Sequence, residues 1–279
     1  MIFKIVHLKE IYPMLDRNGA DPTLEVMVHD CVLPDYREKF TRPSVLICPG
    51  GGYAFTSERE GQVVGFEYMA AGCNCFVLRY SVAPHTYPQQ LIEVACAMDY
   101  ITNNAKEFNC DVEKTAILGF SAGGHLAASY CTLRFDKAVT DIIPEPKSVQ
   151  AAILCYPVIS ADGPTHLGSF RALTGKQELS NEDIEHFSLE KHVDPKITPE
   201  TFIMLTSDDK AVNPVNSLKY ASALCEKKIP FELHVFPSGD HGISSCRYGV
   251  VTNPQSDIMK YNCDWCAMSV KWLRAVLKF

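Results

Sequence analysis

Positive charge is in short supply in this chain. Against 33 Asp and Glu there are 26 Lys and Arg, a formal net charge of −7, which argues against nucleic acid or an acidic membrane surface as a partner. No uninterrupted apolar stretch approaches the roughly 20 residues that a membrane-spanning helix needs. The opening residues, Met1-Ile-Phe-Lys-Ile-Val-His-Leu-Lys-Glu10, have no long apolar centre and no small-residue cleavage site, so no secretion signal is expected. Nine histidines are present, yet no pair has His-x-x-x-His spacing around an acid and no Cys/His cluster has zinc spacing. Neither a metal nor another cofactor is therefore expected. Repeats and low-complexity segments are absent.

Twelve cysteines look like an exception to this scarcity. They are scattered, and several (Cys48, Cys75, Cys131, Cys155) sit inside apolar runs, where free cysteine acts as a small hydrophobe. Cys263-Asp-Trp-Cys266 has redox-motif spacing but lies in a helical stretch, without the strand-then-helix start of a redox domain. Many unpaired thiols and no signal make a reducing cytoplasm the expected location.

What the chain has in quantity is apolar residues, 47% of its 279, ample for a sheet covered by helices on both faces. Such a length is common for a single α/β domain, and one domain over 1–279 is expected. Strands are expected at 2–8, 22–30, 45–48, 74–80, 115–120, 151–156, 201–207 and 231–236. Helices are expected at 61–72, 88–106, 122–133, 214–227 and 255–277. This alternation predicts an α/β fold with a mostly parallel sheet. Residues 157–199 break the rhythm; they read either as a small lid or as a surface crossover with a polar helical run at 180–187.

One short segment carries chemistry. Gly119-Phe-Ser-Ala-Gly123 joins the apolar run Lys114–Phe120 to a helix rich in small residues. A serine on such a strand-to-helix turn is held in a strained conformation with its hydroxyl above the sheet. Upstream, the strand Ser44–Cys48 ends in Pro49-Gly-Gly-Gly-Tyr53. This spacing fits neither G-x-G-x-x-G nor a Walker loop, which argues against phosphate. Consecutive glycines instead let backbone N–H groups approach a substrate and stabilise a developing oxyanion.

Ser121 needs a base and an orienting acid, following it in the order acid then histidine. Asp208-Asp209 follow the strand at 201–207, and Asp240-His241 follow the strand at 231–236. Both lie at strand ends, where an α/β sheet gathers its functional groups. His241 is the candidate base; Asp209, Asp208 and Asp240 are the candidate acids, with Asp208 also readable as a turn residue. His125, four residues beyond Ser121, reads as a support near the glycine loop. Two further segments are candidate substrate walls, one with Tyr53 and Arg59 and one with His166. Glu58-Arg59-Glu60 equally reads as the solvated first turn of a helix.

These pieces resemble an α/β-hydrolase of the acetyl-esterase type, close to the bacterial xylan-esterase-like and hormone-sensitive-lipase-related carboxylesterases. The resemblance rests on Pro49-Gly-Gly-Gly-Tyr53, Gly65 to Tyr80 ending in Phe-Val-Leu-Arg-Tyr, and Gly119-Phe-Ser-Ala-Gly-Gly-His-Leu-Ala127. It continues through Ile153-Leu-Cys-Tyr-Pro-Val-Ile159, Thr206-Ser-Asp-Asp-Lys-Ala-Val212 and Gly239-Asp-His-Gly242. The lipase-like branch begins its glycine loop with histidine, and Pro49 stands there, which points to the xylan-esterase-like branch. The resemblance implies Ser121 as nucleophile and His241 as base. It also implies Asp209 as acid, followed by the family's Asp-x-x-Val spacing, and the N–H groups of Gly51, Gly52 and Ala122 as oxyanion donors.

The expected activity is hydrolysis of small acyl esters. The resemblance makes acetyl groups on a sugar or oligosaccharide the expected substrate. A generic short-chain carboxylesterase, a formamidase or peptidase, and a non-catalytic ligand-binding protein on the same fold are the alternatives. Acyl-chain length, leaving alcohol and assembly, a homo-oligomer included, stay open.

Overall fold

The computed structural model describes residues 1–30, 40–250 and 257–279. Among the described residues eight strands form one sheet: β1 (Ile2–His7), β2 (Thr23–Val28), β3 (Arg42–Cys48), β4 (Asn74–Arg79), β5 (Cys110–Phe120), β6 (Ala151–Cys155), β7 (Glu200–Thr206) and β8 (Phe231–Phe236). Their order in the sheet is β1-β2-β4-β3-β5-β6-β7-β8. The two opening strands pair antiparallel, and every pairing from β4 to β8 is parallel. Parallel strands need crossovers, and helices supply them on both faces.

Burial explains why these segments are strands. Residues 44–48 of β3 and all of β6 are buried, as a strand covered on both faces requires, so they read as continuous apolar runs. The edge strands differ: β1 and β8 are exposed or only partly buried along most of their length, and β1 leaves Ile2, Phe3 and Ile5 exposed. Helix Asp264–Leu277 buries Trp265, Cys266, Ser269, Trp272, Leu273 and Leu277, one stripe at helical spacing laid against the sheet. Among the described residues no helix is long and apolar enough to cross a membrane.

The sequence expectations met the structure with a few differences. β5 begins at Cys110 rather than 115, through a polar stretch with a register irregularity against β3. Residues 255–256 of the last expected helix lie outside the described residues, and beyond them the helix divides into Asp257–Asn262 and Asp264–Leu277. Within 157–199 a second helix, Leu167–Thr174, precedes the polar one at Asn181–Phe187. The latter starts at a capping box in which Ser180 and Asp183 exchange side-chain and backbone hydrogen bonds, satisfying donors that a helix start leaves free.

The topology selects where a site can form. β4 and β5 leave β3 in opposite directions along the sheet, so the chain reverses at β3, and the crevice outside the carboxyl ends of β3 and β5 opens there. Cys48 on β3 pairs with Gly119 on β5, so the loops after both strands leave the sheet side by side. They are pressed together by two glycines. A Cβ on Gly123 would lie 2.2 Å from the carbonyl oxygens of Cys48 and Pro49, and one on Gly119 would lie 2.2 Å from the carbonyl oxygen of Gly123. Gly123→Ala is therefore expected to destabilise the fold by roughly 3 kcal/mol, the upper range for a buried clash, read as a lowered denaturant midpoint; an unchanged midpoint would refute this packing.

Candidate active site

Ser121 follows the last residue of β5 and opens the helix Ser121–Leu133. Its φ is 52°, a left-handed conformation costly for a residue with a Cβ. Its neighbours hold it there: Phe120 is extended before it, and the carbonyl of Ser121 accepts from Val158 N–H at 3.0 Å. Ser121 is 7% exposed and lines the cavity that the crevice holds.

His241 arrives from the loop after β8. Its Nε2 lies 2.9 Å from Ser121 Oγ, and its Nδ1 lies 2.7 Å from Asp209 Oδ2. Asp209 comes from the loop after β7, and its side chain is 1% exposed. A buried carboxylate is tolerable only when its oxygens are occupied. The second oxygen, Oδ1, accepts from the N–H groups of Ala211 and Val212, each at 2.9 Å. The structure thus brings Ser121, His241 and Asp209 into one hydrogen-bonded chain.

The other two aspartates point elsewhere. Asp208 accepts from the Ser238 hydroxyl and from the N–H groups of Gly239 and Asp240, at 3.0 and 3.3 Å. It ties the loop after β7 to the loop carrying His241, and these donors hold its carboxyl below the usual range, led by the Ser238 hydroxyl. Asp240, with φ 61°, accepts from the N–H of His241 at 2.9 Å. Each therefore shapes the loop that presents the imidazole.

The glycine loop borders the same crevice. Gly51 and Gly52 have φ of 127° and 66°, values that suit glycine alone at the first position. A Cβ on Gly51 would meet the Phe55 carbonyl oxygen at 2.1 Å. No hydrogen bond among the described residues takes up the N–H of Gly51 or of Gly52. Ala122 lies in the first turn of its helix, where an N–H has no acceptor in the helix. The cavity here has a volume of about 650 Å³, and Ser121, His241, Gly51, Gly52, Arg59 and His166 are among its lining residues.

Of the expected walls, Arg59 and His166 line the cavity, but the side chain of Tyr53 does not. Tyr53 is 1% exposed, its ring packs edge-on against Tyr80 and His125, and its hydroxyl lies 2.9 Å from His125 Nδ1. The reading of Tyr53 as a substrate contact is thereby corrected: its side chain is inside the core. His166 uses Nδ1 to accept from the Ser169 N–H and lies 2.8 Å from the Ser169 hydroxyl. That leaves Nε2 as its donor. Burial and then the nearby His241 push the His166 pKa down.

Sequence reasoning missed Glu60. The triplet Glu58-Arg59-Glu60 reads as solvated, but Glu60 is 4% exposed. Its Oε2 accepts from Gly50 N–H at 2.9 Å and its Oε1 from the Tyr156 hydroxyl at 2.7 Å. Only Gly50 at its closest neighbour, where a Cβ would meet Glu60 Oε2 at 2.7 Å, carries a trace of this in the sequence.

The sheet, the turn and the loops at its carboxyl edge define an α/β-hydrolase, and the same fold recurs in solved structures. An acetyl ester-xyloside bifunctional hydrolase from Caldicellulosiruptor lactoaceticus superposes with a TM-score of 0.82 at 29% identity, covering 98% of this chain and 96% of its own. An α/β hydrolase from a deep-sea metagenome library superposes at 0.74 with 30% identity, covering 100% and 99%. The BD-FAE family model matches residues 29–224, and the chain belongs to that family. It is 38% identical over 234 residues to endo-1,4-beta-xylanase B of Butyrivibrio fibrisolvens, across 81% of this chain and 35% of the relative. It is 31% identical over 219 residues to an acetylxylan esterase of Xylanibacter ruminicola, across 76% and 42%. The chain thus spans well under half the length of these two relatives.

His125 gives the site a pH-sensitive support. It is 1% exposed, bonds Tyr53 through Nδ1, and meets the Phe187 carbonyl through Nε2 at 3.1 Å. It thereby links the residue after the glycine run to the segment 157–199. Burial pushes its pKa down to about 4. The unfolded chain binds that proton near the ordinary histidine value and the folded chain resists it, so stability falls as pH drops from about 6.5 toward 4. The unfolding free energy from urea titrations should fall between pH 7 and pH 4.5 by up to roughly 3 kcal/mol more in the wild type than in His125→Gln; parallel losses would contradict the neutral, buried assignment.

Proposed function

We propose that this chain is a serine carboxylesterase that removes small acyl groups, acetyl foremost, from carbohydrate. The observation that carries the reading is the hydrogen-bonded chain Ser121–His241–Asp209 opening into the cavity. In this reading Ser121 Oγ attacks the ester carbonyl as His241 takes its proton through Nε2, and Asp209 holds the Nδ1–H tautomer and stabilises the imidazolium. The N–H groups of Gly51, Gly52 and Ala122 receive the oxyanion. Collapse of the tetrahedral intermediate releases the alcohol with a proton from His241. Water, activated by the same imidazole, then attacks the acyl-enzyme and frees the acid and Ser121 Oγ.

Support for a sugar on the alcohol side comes from two directions. The relatives include an acetylxylan esterase and an acetyl ester-xyloside hydrolase. The cavity rim also mixes an exposed ring, Phe55, with the polar side chains of Arg59 and His166, a composition suited to a ligand with an apolar face and hydroxyl edges. We assign 157–199 to the same domain as a fixed wall, because it brings His166 and Gly168 to the cavity and anchors on His125 through Phe187. The cytoplasm is the proposed compartment, supported by the free thiols of the described cysteines.

A generic short-chain carboxylesterase is the second reading, favoured by the exposed Phe55 at the rim. Acetate release from acetylated xylo-oligosaccharides, measured beside hydrolysis of p-nitrophenyl acetate, butyrate and octanoate, separates the two. A carbohydrate acetylesterase should release acetate from the oligosaccharide with the higher kcat/KM; activity on nitrophenyl esters alone would favour the second reading. Ser121→Ala should lose roughly 10⁴-fold or more in kcat, and Asp209→Asn somewhat less, whereas Asp240→Asn should stay within about tenfold of wild type. A fluorophosphonate probe should label the wild type and not Ser121→Ala; failure to label the wild type would favour a non-catalytic binding protein.

A further inference from the structure

Glu60 has a carboxylate shut away from water between the two loops that the proposed reaction depends on. Its Oε2 takes the Gly50 N–H, one residue before the first proposed oxyanion donor. Its Oε1 takes the hydroxyl of Tyr156. The same phenol oxygen accepts from the N–H of Ser244, three residues past His241, at 2.9 Å. Because that N–H fills one lone pair of the phenol, the phenol's own proton is directed to Glu60. The Ser244 hydroxyl closes the circuit by donating to the Arg59 carbonyl, and the indole N–H of Trp265 donates to the Ser244 carbonyl at 2.8 Å.

The ring of Tyr156 stands edge-on to the imidazole of His241, with centroids 5.0 Å apart and planes at 69°. Tyr156 and Ser244 have φ of 38° and 47°, conformations that residues with side chains hold only when their surroundings compel it. A buried carboxylate is an expensive way to bridge two loops when a neutral pair would pack more readily. Its place here touches the glycine loop directly and the floor beneath the base through Tyr156.

We propose that Glu60 is a positioning residue for catalysis: through Gly50 on one side and Tyr156 on the other, one carboxylate sets the oxyanion loop and the His241 ring in register. The proposal rests on the Ser121–His241–Asp209 reading above. Burial raises the pKa of Glu60, and the two donors that face its oxygens, the Tyr156 hydroxyl and the Gly50 N–H, work against that rise by favouring the ionised form. Glutamine in its place keeps the shape but offers one acceptor and one donor, and so breaks one arm of the bridge.

The test measures kcat and KM on p-nitrophenyl acetate for wild type, Glu60→Gln, Tyr156→Phe and the double variant, with active sites counted by fluorophosphonate labelling. Expected for Glu60→Gln is a kcat per labelled site lower by about 100-fold, the scale of a misplacement near 1 Å, with KM within about twofold. Tyr156→Phe should fall in the same direction, and the double variant should lose much less than the product of the single losses, because both belong to one bridge. The groups facing His241 are Asp209, Asp240 on its own loop, Tyr156, His166, the Arg59 guanidinium beside Gly242, and Glu60 beyond Tyr156. Only Glu60 changes charge in Glu60→Gln, so the acid limb of the kcat/KM profile should move to lower pH.

A kcat per labelled site within about twofold of wild type, or a loss confined to the number of labelled sites, overturns the proposal. Should Glu60→Gln not fold, Tyr156→Phe decides alone: unchanged kcat per site overturns the bridge, and a fall with constant KM supports it. Wild-type activity in Ser121→Ala would instead sink the triad reading, whatever Glu60 does.

Discussion

The contact on which the rest depends is backbone against backbone, where the helix after Ser121 crosses the end of β3. The Cα of Gly123 sits against the carbonyls of Cys48 and Pro49 so tightly that no Cβ fits. Because of that approach, the loop leaving β3 and the turn leaving β5 share one small volume. Ser121 must then bend sharply into its helix, and its φ of 52° is the geometric consequence. The glycines of the motif are thus spacing elements first, and Ser121 borders the cavity because the backbone around it has nowhere else to go.

Around this crossing the polar groups form a hierarchy of supports rather than a single row of three side chains. Asp209 orients His241 and is itself held by two backbone N–H groups. Asp208, its neighbour in sequence, fastens the loop that carries His241. On the opposite side, Glu60 and Tyr156 join the glycine loop to the residues just past His241. His125 holds Tyr53 against the segment 157–199. Loops at a sheet edge are ordinarily the least constrained part of an α/β fold; here they are pinned by hydrogen-bonded polar groups, of which Asp209, Glu60 and His125 are buried and Asp208 is exposed.

Much of this was legible from the sequence, and the reasons differ between parts. The inner strands were readable because burial on both faces makes them continuous apolar runs; β5 was cut short because Asp111, Glu113 and Lys114 interrupt its first half. The antiparallel pairing of β1 and β2 was not readable, since strand direction in a sheet leaves no trace in a single segment. Ser121, Asp209 and His241 stood out by position at strand ends and by order, and the structure brings their side chains together. Tyr53 misled because a residue beside a glycine loop looks exposed, yet its φ of 59° turns it into the core. Glu60 was hidden for the opposite reason: one turn, with Glu58 exposed and Glu60 buried, has a uniform charged sequence. Helical turns reveal which face is inside only when apolar residues mark it.

The central claim is that Ser121 carries the acyl group between the two halves of the reaction. The most direct measurement is rapid-quench mass spectrometry of the protein mixed with p-nitrophenyl acetate at low pH, followed by peptide mapping. The account predicts one acetyl group gained per chain in the time of the first turnover, located on the peptide containing Ser121, and lost again as acetate forms. Release of nitrophenol with no acetyl on the protein, or acetyl on another residue, would contradict it.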